Sequence, residues 1–166
     1  IDTEKGFAYL FLITDAYSRK IIGFKTADSL EAKHAVEALQ MALKELNGPT
    51  DQLIHHSDRG VQYCCQEYVK VLKRKKIRIS MTENGDPLEN AIAERVNGIL
   101  KMEWIYDQRF KNLSQAQGYI RQIIGIYNSE RPHASIEMLT PDKAHQRAGA
   151  LQRKWKNYYP QKVDVL

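Results

Sequence analysis

Two carboxylates stand out by position. The stretch "HHSDRG" (55–60) directly follows a short apolar pair, Leu53 and Ile54, and carries Asp58 after two histidines and Ser57. A carboxylate at the C-terminal end of a strand in an α/β sheet lies where open sheets bind their ligands. Its neighbours alone leave Asp58 open as a turn residue, a salt-bridge partner or a metal ligand. The second carboxylate, Glu94, lies on a segment of helical periodicity. At about 100° per residue, Leu88, Ile92, Val96 and Ile99 fall on one side, with Asn90, Glu94, Asn97 and Lys101 opposite. Any amphipathic helix has a polar face, so Glu94 gains meaning only from Asp58. Thirty-five residues separate the two. That interval is long enough for a helix, a strand and a loop, which can bring the second helix back over the first strand's end. Converging carboxylates repel unless a cation lies between them, and hard divalent cations choose carboxylate oxygen. In two-metal sites ions about 4 Å apart clamp the attacking and leaving oxygens of a phosphoryl group. His55 and His56 could touch metal or substrate, or simply pack and hydrogen-bond at the strand end. Arg59 could meet phosphate, Glu94 or a surface ion-pair partner.

The elements around these residues read as a mixed sheet flanked by helices, an α/β layered domain. "FAYLFLITDAYSRKIIGFKTA" (7–27) reads as two strands joined by a turn at Asp15–Arg19, the first of them buried on both faces. Asp28 and Glu31 form a capping-box pattern ahead of a helix with Ala35, Leu39, Ala42 and Leu46 on one stripe, stopped by "NGPT" (47–50). A strand at 52–56 precedes a helix bearing Cys65, Tyr68, Val69 and Leu72, then "IRIS" (77–80) as another strand. "ENGDP" (83–87) leads into the Glu94 helix, with Asp86 as cap, Pro87 in the first turn and Glu89 three after the cap. A last long helix runs from about Ser114, capped with Gln117, and carries Ala116, Ile120, Ile123, Ile124 and Tyr127 on one stripe as far as "ERPH" (130–133).

With 166 residues the chain has room for one sizeable core. No apolar run approaches membrane-spanning length. Adjacent Cys64 and Cys65 fit neither a disulfide framework nor a zinc spacing, so they read as packing residues in a reducing compartment. A net charge of +5 favours a polyanionic partner. The basic residues concentrate in "KVLKRKKIR" (70–78) and "QRKWK" (152–156), stretches that could equally be solvated surface. The chain opens on Ile1 rather than Met and reads as a piece of something longer.

"HHSDRGVQY" followed at this interval by the Glu of "NAIAERVNGILK" resembles the catalytic core of DDE transposases and retroviral-type integrases. "YLFLITDAYSRKIIGF" (9–24), "LENAIAERVNGILKMEW" (88–104) and "YNSERPHASIEMLTP" (127–141) extend the likeness to the orfB-type transposases of bacterial insertion sequences. The resemblance implies a ribonuclease-H-like fold over 1–146, followed by a basic, aromatic tail at 147–166. It implies two magnesium or manganese ions and strand transfer between element ends and target DNA. It also implies a homo-oligomer on DNA, an upstream helix-turn-helix part that recognises the terminal repeats, and a bacterial cytoplasm, at the nucleoid. By the same likeness Asp58 is the second catalytic, metal-binding acid and Glu94 the third. Lys101, Arg59, Asn90, Asn97, Arg131 and His133 form the DNA-facing set, the "RPH" at 131–133 being either structural or DNA-facing.

The family's first Asp is harder to find. Asp15 matches a non-catalytic position, and Asp2 opens "DTEKG", which reads as a hairpin tip. In the orfB-type relatives that Asp belongs to a "DITYI"-like strand. If Ile1 ends such a strand, the Asp lies four residues upstream. This places the first acid outside the chain and predicts an inactive fragment. Asp2 as a substitute, a catalytically dead DNA-binding or assembly module, and a plain ribonuclease-H-like nuclease are the alternatives.

Overall fold

The computed structural model describes residues 1–46, 48–82 and 90–152. The chain opens with a hairpin, β1 (Asp2–Thr3) and β2 (Gly6–Phe7), around Glu4 and Lys5, the turn that "DTEKG" predicts. Gly6 has φ +119°, a backbone setting that strains other residues. One step beyond β1, Ile1 and Ala8 exchange both backbone hydrogen bonds, at 2.9 and 2.8 Å.

β3 (Tyr9–Thr14) and β4 (Ile21–Ala27) pair antiparallel. β3 alternates between two cores, as a strand must. Leu10 and Leu12 pack with one core, and Tyr9, Phe11 and Ile13 with the other. The expectation of a strand buried on both faces from Phe7 onward needs correction. Phe7 belongs to β2 and is 64% exposed, and within β3 only Phe11 is fully buried. β3 has core on either side but an open edge.

α1 (Ala32–Lys44) follows. Its N-cap is Glu31, with no side-chain cap bond, so the Asp28–Glu31 capping box does not form. The Glu31 carboxylate instead accepts from Ser29 Oγ and pairs with Lys33. Ala35, Leu39 and Ala42 are buried as their spacing predicts, while Leu46 lies past the helix end. β5 (Ile54–Ser57) pairs parallel with β6 (Arg78–Met81). The single helix expected between them is two, α2 (Val61–Cys64) and α3 (Gln66–Arg74). Cys65 breaks it with extended backbone, and its Sγ caps α3 by accepting the Tyr68 N–H. Both cysteines are free thiols.

α4 (Ala91–Leu100) runs into a π-helical turn at Lys101–Ile105. The start signals assigned to Asp86, Pro87 and Glu89 lie outside the described residues. Val96 and Ile99 are buried as predicted, but Ile92 is 37% exposed. α5 (Leu113–Ser129) buries all five residues of its expected stripe. Its cap is Asn112 rather than Ser114: Asn112 Oδ1 accepts from Gln115 N at 3.0 Å, and Gln115 Oε1 accepts from Lys111 N at 2.6 Å. A 3-10 turn (Ala134–Ile136) and α6 (Pro141–His145) complete the described fold.

Helices cover both faces. α1 and α3 build one core around Leu39, Tyr68 and Leu72; α4 and α5 build the other around Leu100, Ile120 and Tyr127. This is the expected α/β layering with mixed strand pairing. Among the described residues, however, β3–β4 and β5–β6 are separate two-stranded ladders. A cavity of about 570 Å³ has both β3 and β5 in its wall. No helix among the described residues is long and apolar enough to cross a membrane.

Candidate active site

β5 ends on buried Ser57 and delivers Asp58 to the surface one residue later. Asp58 Oδ1 accepts the Gly60 N–H at 2.9 Å, a local turn that orients the carboxylate. Arg59 reaches across to the end of β6, where its Nε donates to the Thr82 carbonyl at 2.7 Å. His56 Nδ1 lies 3.0 Å from Ser80 Oγ on the paired strand. His55 packs against the buried Tyr68 ring, its Nε2 3.2 Å from the phenol oxygen. Burial, helped by neighbouring His56, lowers the His55 pKa to about 4, so the ring is neutral at pH 7. Both histidines therefore have strand-packing partners.

Asp58, Asn90 and Asn97 share the wall of the large cavity. The intervening turn of α4 contributes Ala93 to that wall, while Glu94 and Lys101 are exposed on the helix. The polar face predicted for this helix is thus divided between the cavity and solvent. Asp15, at the end of β3, is also in the wall, but its carboxylate is engaged with a turn. Its Oδ2 accepts from Ser18 N at 2.9 Å and Ser18 Oγ at 2.5 Å, and lies 3.3 Å from His145 Nδ1. Burial alone would raise this carboxyl, but the bonds from Ser18 and His145 hold it below its ordinary value. The D-x-x-S spacing of this turn was present in the sequence; its bond to α6 was not.

A second cluster lies at the end of α5. Arg131 grips Glu103 of the π turn with both arms, Nε to Oε2 at 2.7 Å and Nη2 to Oε1 at 2.5 Å. Its Nη1 donates to His133 Nε2 at 3.2 Å. Since arginine only donates, Nε2 accepts, and the neutral ring carries its proton on Nδ1. His133 is 7% exposed and stands edge-on to Tyr127. Burial first, and the Arg131 charge second, lower its pKa to about 4. Unfolding releases this histidine to its ordinary value of 6.5, so between these values the unfolded chain binds more protons. His133 therefore contributes stability in full above about pH 6.5 and loses it progressively toward pH 4, at about 1.4 kcal/mol per pH unit. Urea titrations at pH 7.5, 6, 5 and 4 on wild type and His133→Gln measure it: the variant should show a shallower decline. Nothing in the sequence pointed to Glu103 as the partner of Arg131.

The Asp58 carboxylate suits a hard divalent cation by donor type. Among the described residues, no group of three or more His, Cys, Asp or Glu gathers to hold one. The described residues supply part of a metal site and do not complete it.

Residues 1–87 match the family described as integrase core domain, and residues 75–141 match a second family of the same description. The chain is 35% identical over 153 residues to an insertion element IS600 uncharacterized 31 kDa protein from Shigella sonnei, covering 89% of this chain and 56% of that protein. It is 34% identical over 142 residues to the transposase InsF for insertion sequence IS3A of Escherichia coli K12, covering 85% and 49%. The chain thus spans about half the length of these relatives. Among solved structures, a chain of the simian T-cell lymphotropic virus intasome in complex with PP2A regulatory subunit B56 gamma superposes with a TM-score of 0.74 at 18% identity, covering 96% of this chain and 55% of that one. The HTLV-2 integrase catalytic core in complex with magnesium, in its trimeric form, gives 0.67 at 19%, covering 88% and 90%. These likenesses show the ribonuclease-H-like fold expected from the sequence.

Proposed function

Because the chain belongs to the integrase core domain family and is similar to a transposase of an insertion sequence, we propose that it is the part of a transposase that cleaves and rejoins DNA phosphodiesters. The observation that carries this reading is the delivery of Asp58 by β5 to a cavity whose wall also holds Asn90 and Asn97 of α4. In this reading Asp58 and Glu94 are the catalytic carboxylates and hold divalent magnesium or manganese, as the HTLV-2 core is seen with magnesium. A pair of bound ions would neutralise charge on the scissile phosphate and ready an oxygen nucleophile. The chain's own residues supply the rest. Asp58 is oriented by the Gly60 N–H, Arg59 braces its loop against the end of β6, and Asn90 and Asn97 offer amide hydrogen bonds to the nucleic acid.

The core spans 1–146, with the tail at 147–166 beyond it. Transposition assembles several copies on element ends and target, and an upstream helix-turn-helix part reads the end sequence. The structural role of the 131–133 segment is favoured over a DNA-facing one, because Arg131 is committed to Glu103 and His133 is buried. Lys101, exposed at the start of the π-helical turn that continues α4, is the position we assign to a phosphate contact. Lys101→Ala should weaken duplex binding uniformly across sequences and lower the slope of log affinity against log salt by about one. Fluorescence anisotropy over a salt series measures it, and an unchanged slope removes Lys101 from the interface.

The first catalytic Asp lies ahead of Ile1 in this reading, and the 166-residue chain is inactive alone. One observation favours a second reading, a DNA-binding and assembly module without catalysis: no three-carboxylate group forms among the described residues. Cleavage and joining assays with end-sequence DNA and magnesium separate the two. The 166-residue chain is compared with the same chain carrying its natural upstream residues. Activity restored only by the extension supports the catalytic reading. Inactivity of both supports the module. Joining by the short chain, lost in Asp2→Asn, promotes Asp2 to the first acid.

A further inference from the structure

We propose that the exposed basic ridge running from the end of α3 into β6 is a second docking surface for duplex DNA, holding its phosphate backbone away from the Asp58 site. The inference rests on the reading of the chain as one that acts on DNA. Six cations make up the ridge: Lys70, Lys73 and Arg74 of α3, then Lys75, Lys76 and Arg78. All six are exposed. None is in an ion pair among the described residues, and Glu67, the one acid on α3, neutralises none of them. The apolar members of the same stretch turn inward. Leu72 and Ile77 are buried in the core with Tyr68, and Val71 packs against it. The exposed face therefore offers charge without an apolar centre. An interface with another protein is depleted of charge at its centre, whereas a phosphate backbone is held by cations alone.

The second observation is where Lys76 stands. α3 ends in a Schellman turn: the Ile77 N–H donates to the Leu72 carbonyl at 3.1 Å and the Lys76 N–H to the Lys73 carbonyl at 3.0 Å. Lys76 occupies the left-handed position of that turn, at φ 56°. Glycine takes this position without strain, and a side chain does not. The Lys76 side chain is exposed and makes no hydrogen bond or ion pair among the described residues that would offset the strain. The helix dipole accounts for Lys73 and Arg74 in the last turn. It does not account for a strained cation past the helix end, and strain that the fold does not need points to function. The ridge is also braced. Thr50 Oγ1 donates to the Lys75 carbonyl, Arg78 N to the Leu53 carbonyl at 2.9 Å, and Arg78 Nη2 to the Gln52 carbonyl at 3.1 Å. Arg78 opens β6 opposite Ile54, whereas Asp58 comes four residues after Ile54 at the far end of the ladder. Those four steps span about 13 Å of strand, so the ridge meets DNA apart from the stretch at Asp58.

Mixed-sequence duplex is titrated with the 166-residue chain over a salt series, without metal, and followed by fluorescence anisotropy. Lys76→Gly should lower the slope of log affinity against log salt by about one. Its urea midpoint should rise at the same time, because glycine relieves the left-handed turn. Lys70→Gln combined with Arg74→Gln should lower the slope by about two. A rise in midpoint with unchanged slopes makes the ridge solvated surface and overturns the proposal. A falling midpoint in Lys76→Gly gives that side chain a structural contact and overturns it too. So does a wild-type chain that binds no duplex at about 50 mM salt. Polyglutamate bound as tightly as duplex at matched charge, and lost equally in the ridge variants, makes the occupant an acidic protein segment and overturns the assignment to DNA. No arm reads cleavage. Unchanged slopes therefore remove the ridge and leave the catalytic reading standing, while a chain that binds through the ridge but never cleaves removes the catalytic reading and leaves the ridge.

Discussion

Asp58→Asn in the chain carrying its upstream residues should lower metal-dependent DNA cleavage by about a hundredfold to a thousandfold, and Glu94→Gln should do the same. A bound metal supplies several kcal/mol of charge stabilisation, and each 1.4 kcal/mol or so is tenfold in rate. Losing one carboxylate that holds it forfeits much of that. The substitutions are chosen so that folding is preserved. Asp58 is exposed, and the oxygen that accepts the Gly60 N–H is one that asparagine also has. Glu94 is exposed on α4 and its amide variant keeps helix propensity. Unchanged urea midpoints with lost cleavage establish the catalytic assignment. Either variant retaining full rate removes that residue from the site. Raising magnesium or manganese adds a discriminating readout: partial rescue by metal concentration is expected of a weakened ligand set and not of a residue that only contacts DNA.

The largest stability effect is expected at a glycine far less conspicuous than either carboxylate. Gly23→Ala should destabilise the protein by about 3 kcal/mol, at or beyond the usual range for overpacking. A Cβ at Gly23 would lie 2.3 Å from the Ala38 carbonyl oxygen, 2.8 Å from Ala42 Cβ and 2.9 Å from Ala42 N. Two of these atoms are backbone, so α1 as a whole must move off β4. Side-chain rearrangement alone cannot relieve the contact. The control is Gly118→Ala on α5, where nothing lies within 4 Å of the added carbon. That change should stabilise by up to about 1 kcal/mol through helix propensity. Urea midpoints for the two variants should shift in opposite directions with little change in slope. A neutral Gly23→Ala would mean that α1 tolerates a larger separation from β4 than the structure shows.

These cases separate what local pattern reveals from what it hides. The stripe of Ala116, Ile120, Ile123, Ile124 and Tyr127 was readable because helical periodicity is a property of the segment itself, and all five are buried. The hairpin at "DTEKG" was readable from turn chemistry, and Asp58 from its place behind a short apolar run. Cap positions were misread at Glu31 and Asn112 because several polar residues stand near each helix start, and the chosen one depends on where packing begins the helix. The break at Cys65 was hidden for a similar reason: its backbone turns out of helical geometry although its neighbours keep an apolar stripe.

By itself, then, the amino-acid order determined the α/β layering, the faces of α1 and α5, and the two carboxylates worth testing. Each of these follows from side-chain type at a fixed spacing along one element. Only the tertiary structure decided that Gly23 is the contact point of α1 on β4. Likewise, it alone paired Arg131 with Glu103, twenty-eight positions away, and showed that β3 and β5 border a common cavity. Those facts depend on how elements meet in space, where the controlling distances join residues that no local period connects.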